Sequence, residues 1–208
     1  MSPARPCVCP GTEHQRRLVA LTGGPGAGKT AVLEVLQREL CAHCIVLPEA
    51  ASILFRGGFP RGQSVPAHKA AQVAIFRVQR ELEWLALSEG NAAVVFCDRG
   101  TVDGLAYWPE DGAGYWRAVG SAREQEIARY AAVIHLRTPR AAYGYSNGQD
   151  AVRIETADQA AVIDQRIEAA WQGHPRRALV GEAPRFGDKL ARALDALRTE
   201  VPGCCSRT

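Results

Sequence analysis

The chain has 208 residues, 47% of them hydrophobic, enough to bury one sizeable core in a single domain. Its formal net charge of +3 is too small to argue for nucleic acid, and no apolar run approaches the ~20 residues of a membrane span. The N-terminal "MSPARPCVCPGTEHQRR" lacks the apolar centre of a secretory signal, so the expectation is a cytoplasmic protein with no nucleic-acid partner.

Residues 1–15 read as a flexible leader, 16–201 as one domain and 202–208 as a tail. The apolar run 17–22 ("RLVALT") predicts a buried strand, and 29–42 follows helical spacing. A second strand is predicted over 44–48 ("CIVLP"), then a Gly- and Pro-rich loop over 52–66 and a long helix over 67–89. "AAVVFC" (92–97) is a third strand, 101–130 a set of helical pieces rich in aromatics, and "AAVIHL" (131–136) a fourth strand. A polar, basic stretch covers 138–156; a helix over 157–171, a weak strand over 177–181 and a closing helix over 187–200 complete the chain. Strands alternating with helices predict an α/β fold, a doubly wound sheet of about five parallel strands covered on both faces.

"GGPGAGKT", Gly23 to Thr30, matches G-x-x-x-x-G-K-[ST], with a predicted strand before it and a helix after. Glycines let the backbone curl so that N–H groups can point at phosphate, and the helix adds its positive end. Gly24, Pro25, Gly26, Ala27, Gly28, Lys29, Thr30 and Ala31 are therefore the candidate nucleotide-binding residues, with Lys29 reaching the β- and γ-phosphates and the Thr30 hydroxyl joining a Mg²⁺ shell. Of the 25 basic residues, only Lys29, Lys69 and Lys189 are lysine, so a compact point charge in the loop looks chosen for chemistry. The cofactors this loop implies are ATP and Mg²⁺.

Ligands bind at the carboxyl ends of strands in open parallel sheets. Two acids are placed there: Glu49 after "CIVLP" and Asp98 after "AAVVFC". Either can take a proton from an attacking hydroxyl, and Asp98 can also hold Mg²⁺; which one is the base stays open. Motor-type ATPases carry a second acid after this strand to activate water, and here that position is Arg99. "NGQD" (147–150) imitates a guanine-reading stretch but lacks its lysine. Arg137, Arg140 and Arg153 flank the polar stretch 138–152, which reads as a lid that neutralises a phosphoryl group in flight and excludes water. Phe55, Arg56, Phe59, Arg61, Tyr107 and Trp108 fall in loops predicted to leave the same sheet edge and are candidates for an acceptor pocket. Seven cysteines, among them "CVC" and "CAHC", do not frame a metal site, and the expectation is reduced thiols.

With these residues in hand, the chain resembles the P-loop domains of the NadR and TRPL-translocation-defect type, predicted ATPases allied to nucleoside and nucleotide kinases. "LTGGPGAGKT", "VLPEAAS", "FCDRGTVDGLAYW", "VRIETADQAAVIDQRIEAAW" and "HPRR" carry the likeness, from about residue 18 to 195. The resemblance implies a lid after the fourth strand. It also implies Lys29, Thr30 and Asp98 at nucleotide and metal, and Arg137 and Arg153 near the lid. Glu49, Arg56, Arg99, Asp103 and Tyr107 are the candidates for contact with the acceptor. The favoured function is a kinase moving the γ-phosphoryl of ATP to a hydroxyl of a small, nucleoside-like molecule. The alternative is a regulatory ATPase or GTPase switch that binds a protein or lipid partner.

Overall fold

The computed structural model describes residues 14–89, 92–139 and 156–203. Five strands, β1 (Arg17–Thr22), β2 (Cys44–Leu47), β3 (Val94–Asp98), β4 (Tyr130–Leu136) and β5 (Arg177–Val180), form one sheet in the order β2-β3-β1-β4-β5. Every pairing is parallel, so the expected α/β class holds. Among the described residues the helices are α1 (Lys29–Glu39), α2 (Ala50–Arg56), α3 (Val65–Ser88), a 3₁₀ helix (Thr101–Tyr107), α4 (Gly112–Val119), α5 (Arg123–Ala128), α6 (Ala157–Ala170) and α7 (Phe186–Arg198). None is long and apolar enough to cross a membrane.

The two faces of the sheet follow from the alternation of strand side chains. Val19 and Leu21 of β1 join Phe96, Ile134 and Leu136 against Leu33 and Leu36 of α1 and Leu194 and Leu197 of α7. Leu18 and Ala20 point the other way, joining Val95, Cys97 and Val133 against Ile167 and Trp171 at the end of α6. β1 sits in the middle of the sheet and is fully buried beyond Arg17. Its carboxyl end therefore opens the phosphate loop at the centre of the molecule.

The stretch 52–66 is not one loop. Residues 50–56 ("AASILFR") contain no breaker and form α2, its first turn closed by the Ile53 N–H on the Glu49 carbonyl at 3.2 Å. The glycines and prolines that suggested a loop all lie beyond Arg56. α3 begins at Val65, earlier than its spacing predicts, because the Ser64 hydroxyl caps it and Pro66 is tolerated in a first turn. β3 starts two residues later than predicted and ends one later, which makes Asp98 its last residue. Cys41 is disulfide-bonded, contrary to the expected reduced state, whereas the buried Cys97 is a free thiol.

Candidate functional site

Thr22 ends β1 and the chain enters the phosphate loop, closed by a bond from the Ala27 N–H to the Gly24 carbonyl at 3.4 Å. Gly23 has φ 133°, and a Cβ there would lie 2.0 Å from the Leu136 carbonyl oxygen, so no other residue fits. Lys29 is buried and its Nζ donates to the carbonyls of Gly23 and Gly24 at 2.9 and 3.0 Å. Burial, then the nearby Arg99 charge, lowers its pKa to about 8, against the pull of Asp98, Glu49 and Asp103. Thr30, next along α1, is exposed.

The two acids at the strand ends differ sharply. Asp98 lies in register with Leu21, is 7% exposed, and its Oδ1 has no hydrogen-bond partner among the described residues. Burial raises its pKa to about 6, with Glu49 and Asp103 adding to the shift and Lys29 and Arg99 opposing it. Glu49 precedes α2 and is clasped by Arg99, Nε to Oε1 at 2.5 Å, and by the Ser52 hydroxyl at 2.5 Å. Burial would push its pKa up, but Arg99, Lys29 and these hydrogen bonds outweigh burial and hold it at about 2.

Arg99 is the hinge of the site. It is the described non-glycine residue with positive φ, at 75°, a strained conformation that tertiary contacts must hold. Its Nη1 reaches the Gly23 carbonyl at 3.1 Å and Asp103 Oδ2 at 3.4 Å, and its guanidinium lies 5.7 Å from the centre of the Tyr107 ring. Asp103 is buried and shared: Oδ2 also accepts from Thr22 at 2.6 Å and Oδ1 from Trp171 Nε1 at 2.6 Å. Neither Asp98 nor Asp103 caps the 3₁₀ helix, whose N-cap is Gly100 without a side-chain bond.

Beside the phosphate loop opens a cavity of about 700 Å³. Pro25, Glu49, Arg99, Asp103 and Tyr107 line it at the loop end, with Phe55, Arg61, His68, Phe76 and Trp108 farther along. Arg56 and Phe59, expected in the pocket, are not among its lining residues, and neither is Asp98. α2 carries Phe55 inward, and the next position, Arg56, faces away and is exposed. Arg137 is bound by Glu168 and lies 3.7 Å from Asp164, both on α6. Arg153, Arg140 and nearly all of the expected lid lie outside the described residues.

Three residues at the site escaped the motif reading. Asp164 Oδ1 accepts the Gly24 N–H at 2.7 Å and lies 3.0 Å from His135 Nε2; its pKa is lowered because these hydrogen bonds outweigh burial. The Thr138 hydroxyl donates to the Pro25 carbonyl at 3.1 Å. Lys189 of α7 donates to the Ala27 carbonyl at 2.8 Å and to the Arg137 carbonyl. The scarcity of lysine marks Lys189; nothing local marks the other two.

A family model described as an AAA domain matches residues 18–189. The chain belongs to this AAA domain family. No curated protein sequence matches it. Among solved structures, NadR in complex with NAD and AMP-PNP superposes with TM-score 0.62 at 12% identity, over 89% of this chain and 49% of that one. The chain thus spans about half the length of NadR. Deoxyadenosine kinase from M. mycoides with bound dATP gives TM-score 0.59 at 11% identity, covering 88% and 99% of the two chains. Thymidylate kinase from Candida albicans gives 0.62 at 14%, covering 90% and 93%. This AAA-family chain therefore has a kinase-like P-loop fold.

Proposed function

We propose that the protein is a kinase that transfers the γ-phosphoryl group of ATP to a hydroxyl of a small, nucleoside-like molecule. The observation that carries this reading is the shared wall between loop and cavity. Pro25 of the phosphate loop lines the cavity, and Arg99 bonds both the Gly23 carbonyl and Glu49. A molecule in the cavity would lie directly against the end of a triphosphate held by the loop. A hydrolytic switch needs a water there, not a cavity of about 700 Å³ lined by aromatic rings.

The two carboxylates then divide the work. Glu49 lines the cavity and Asp98 does not, so Glu49 is the group that meets the acceptor hydroxyl. Held at a pKa of about 2, it serves as an ionised hydrogen-bond acceptor that aims the hydroxyl at phosphorus. Little base strength is required, because the transition state of phosphoryl transfer is loose. Mg²⁺, when bound, would neutralise charge on the β- and γ-oxygens. The unpartnered Asp98 Oδ1 and the exposed Thr30 hydroxyl are hard oxygen donors that suit it. Lys29 and Arg99, which both donate to the Gly23 carbonyl, supply positive charge beside the transferred group, with Arg137 and Arg153 assigned to the lid side. NadR and deoxyadenosine kinase were solved with AMP-PNP and dATP bound, which supports a nucleotide in the loop.

The test is incubation with MgATP and a panel of nucleosides and related hydroxyl compounds, products read by mass spectrometry. Acceptor-dependent phosphorylation is expected. ATP hydrolysis at one rate with and without every acceptor would sink the kinase reading and favour the switch.

A further inference from the structure

Which groups of the phosphate loop face phosphate is decided by peptide-plane orientation. A trans peptide points each carbonyl and the following N–H in opposite directions within one plane. The Gly23 carbonyl faces Lys29 Nζ at 2.9 Å, so the Gly24 N–H faces the other way, where it meets Asp164 at 2.7 Å. Lys29 thus marks the inner side of the loop and Asp164 the outer side. Thr138 belongs to the outer side as well. A Cβ on Gly24 would fall 2.4 Å from the Thr138 hydroxyl oxygen and 2.8 Å from the Asp164 Cβ.

From that outer side two donors pull carbonyls away from the phosphate. Thr138 takes the Pro25 carbonyl at 3.1 Å, and Lys189 takes the Ala27 carbonyl at 2.8 Å. The same plane geometry then sends the Gly26 and Gly28 N–H groups inward. Lys189 is 5% exposed, held beside Asp164, and its second bond, to the Arg137 carbonyl, ties it to the residue before Thr138. Lysine suits the place: a compact ammonium can approach two carbonyls that a planar guanidinium could not both reach in so small a space.

We infer that Lys189 and Thr138 are positioning residues that turn the Gly26 and Gly28 amides toward bound phosphate, while Asp164 withholds the Gly24 amide from it. The inference rests on the reading of the loop as a triphosphate site. It divides three of the motif's four glycines into two phosphate donors, Gly26 and Gly28, and one structural anchor, Gly24, a division that the motif itself does not contain.

The test uses the full chain, labelled with ¹⁵N-glycine, titrated with Mg²⁺ and AMP-PNP. The Gly26 and Gly28 amide resonances move and that of Gly24 stays within its unliganded position. Lys189→Met raises the Kd for AMP-PNP by about tenfold, the scale of one charge-assisted hydrogen bond, and Thr138→Val by less. Lys189→Arg, which keeps a cationic donor, lies nearer the parent than Lys189→Met. In all three the KM for the acceptor is unmoved. A merely structural role would lower Tm and leave the Kd, measured well below Tm, at the parent value. Parent-like Kd in both Lys189→Met and Thr138→Val overturns the inference, as does a Gly24 shift equal to those of Gly26 and Gly28. If Lys189→Met does not fold, Thr138→Val and the parent spectrum decide. A parent protein that binds no triphosphate overturns the nucleotide reading itself, which separates the two failures.

Discussion

In the phosphate loop the working groups are backbone amides and one lysine, supplied by consecutive residues Gly23 to Thr30. In the cavity beside it they are side chains gathered from residues as far apart as Pro25 and Arg166. The loop is tight: its carbonyls are engaged by Lys29, Thr138 and Lys189. The cavity is open, and its polar end is Arg99 paired with Glu49 and Asp103. Backbone amides in a fixed curl can recognise one shape, phosphate, whereas a wall of separate side chains can be redrawn for different acceptors. On the proposed kinase reading, the loop therefore speaks for the donor, and the cavity decides the acceptor.

The largest effect should come from the loop. Lys29→Ala removes the charge aimed at the triphosphate and should lower turnover by about 10³-fold, the upper scale for losing one such electrostatic group. Parent-rate turnover in steady-state assays would abolish the distinction between the two regions.

On the cavity side, Glu49→Gln should lower kcat by about 10²-fold while leaving the Kd for nucleotide unchanged, because its proposed work is to orient the acceptor hydroxyl. Equal loss of nucleotide affinity by calorimetry would place Glu49 with the loop instead.

The acids should also move stability in opposite directions in the ligand-free protein. Asp98 has a folded pKa of about 6, above its ordinary 3.8. As pH rises through that window the unfolded chain releases a proton that the folded one retains, so its contribution falls and stays unfavourable above about 6. Glu49, at about 2 against 4.5, contributes stability above 4.5 that is lost as pH falls toward 2. Asp98→Asn should therefore raise stability at pH 8 by about 1–3 kcal/mol while impairing turnover. Chemical denaturation at pH 8 checks this, and a less stable Asp98→Asn would mean that the buried carboxylate is better compensated than its unpartnered oxygen indicates.

Arg56→Ala should do least. It lies outside the cavity, so the acceptor KM should stay within about twofold of the parent, with stability changed by about 0.5 kcal/mol or less. A tenfold rise in KM would enlarge the acceptor site beyond the cavity walls.

The strand-loop-helix that carries Lys29, the parallel sheet and the two acids at strand ends were legible in residue order alone, because these depend on short-range spacing and, in the loop, on backbone geometry that glycine alone permits. Even the pocket was half legible: Phe55, Arg61, Tyr107 and Trp108 line it, but a Gly- and Pro-rich composition hid α2, and with it the fact that Arg56 faces away from Phe55. The folded chain alone reveals that Arg99 pairs with Glu49, which stands 50 positions away. It also decided that Asp164, 140 positions from Gly24, and Lys189, 162 from Ala27, hold the loop from outside. Such partners are chosen by the order in which strands cross the sheet. β4 lies directly beside β1, so Thr138 just beyond its end and the helices that follow are brought to the back of a loop encoded more than a hundred residues earlier. No local pattern of residues records that crossing, because each of these side chains would read the same on any exposed helix or turn.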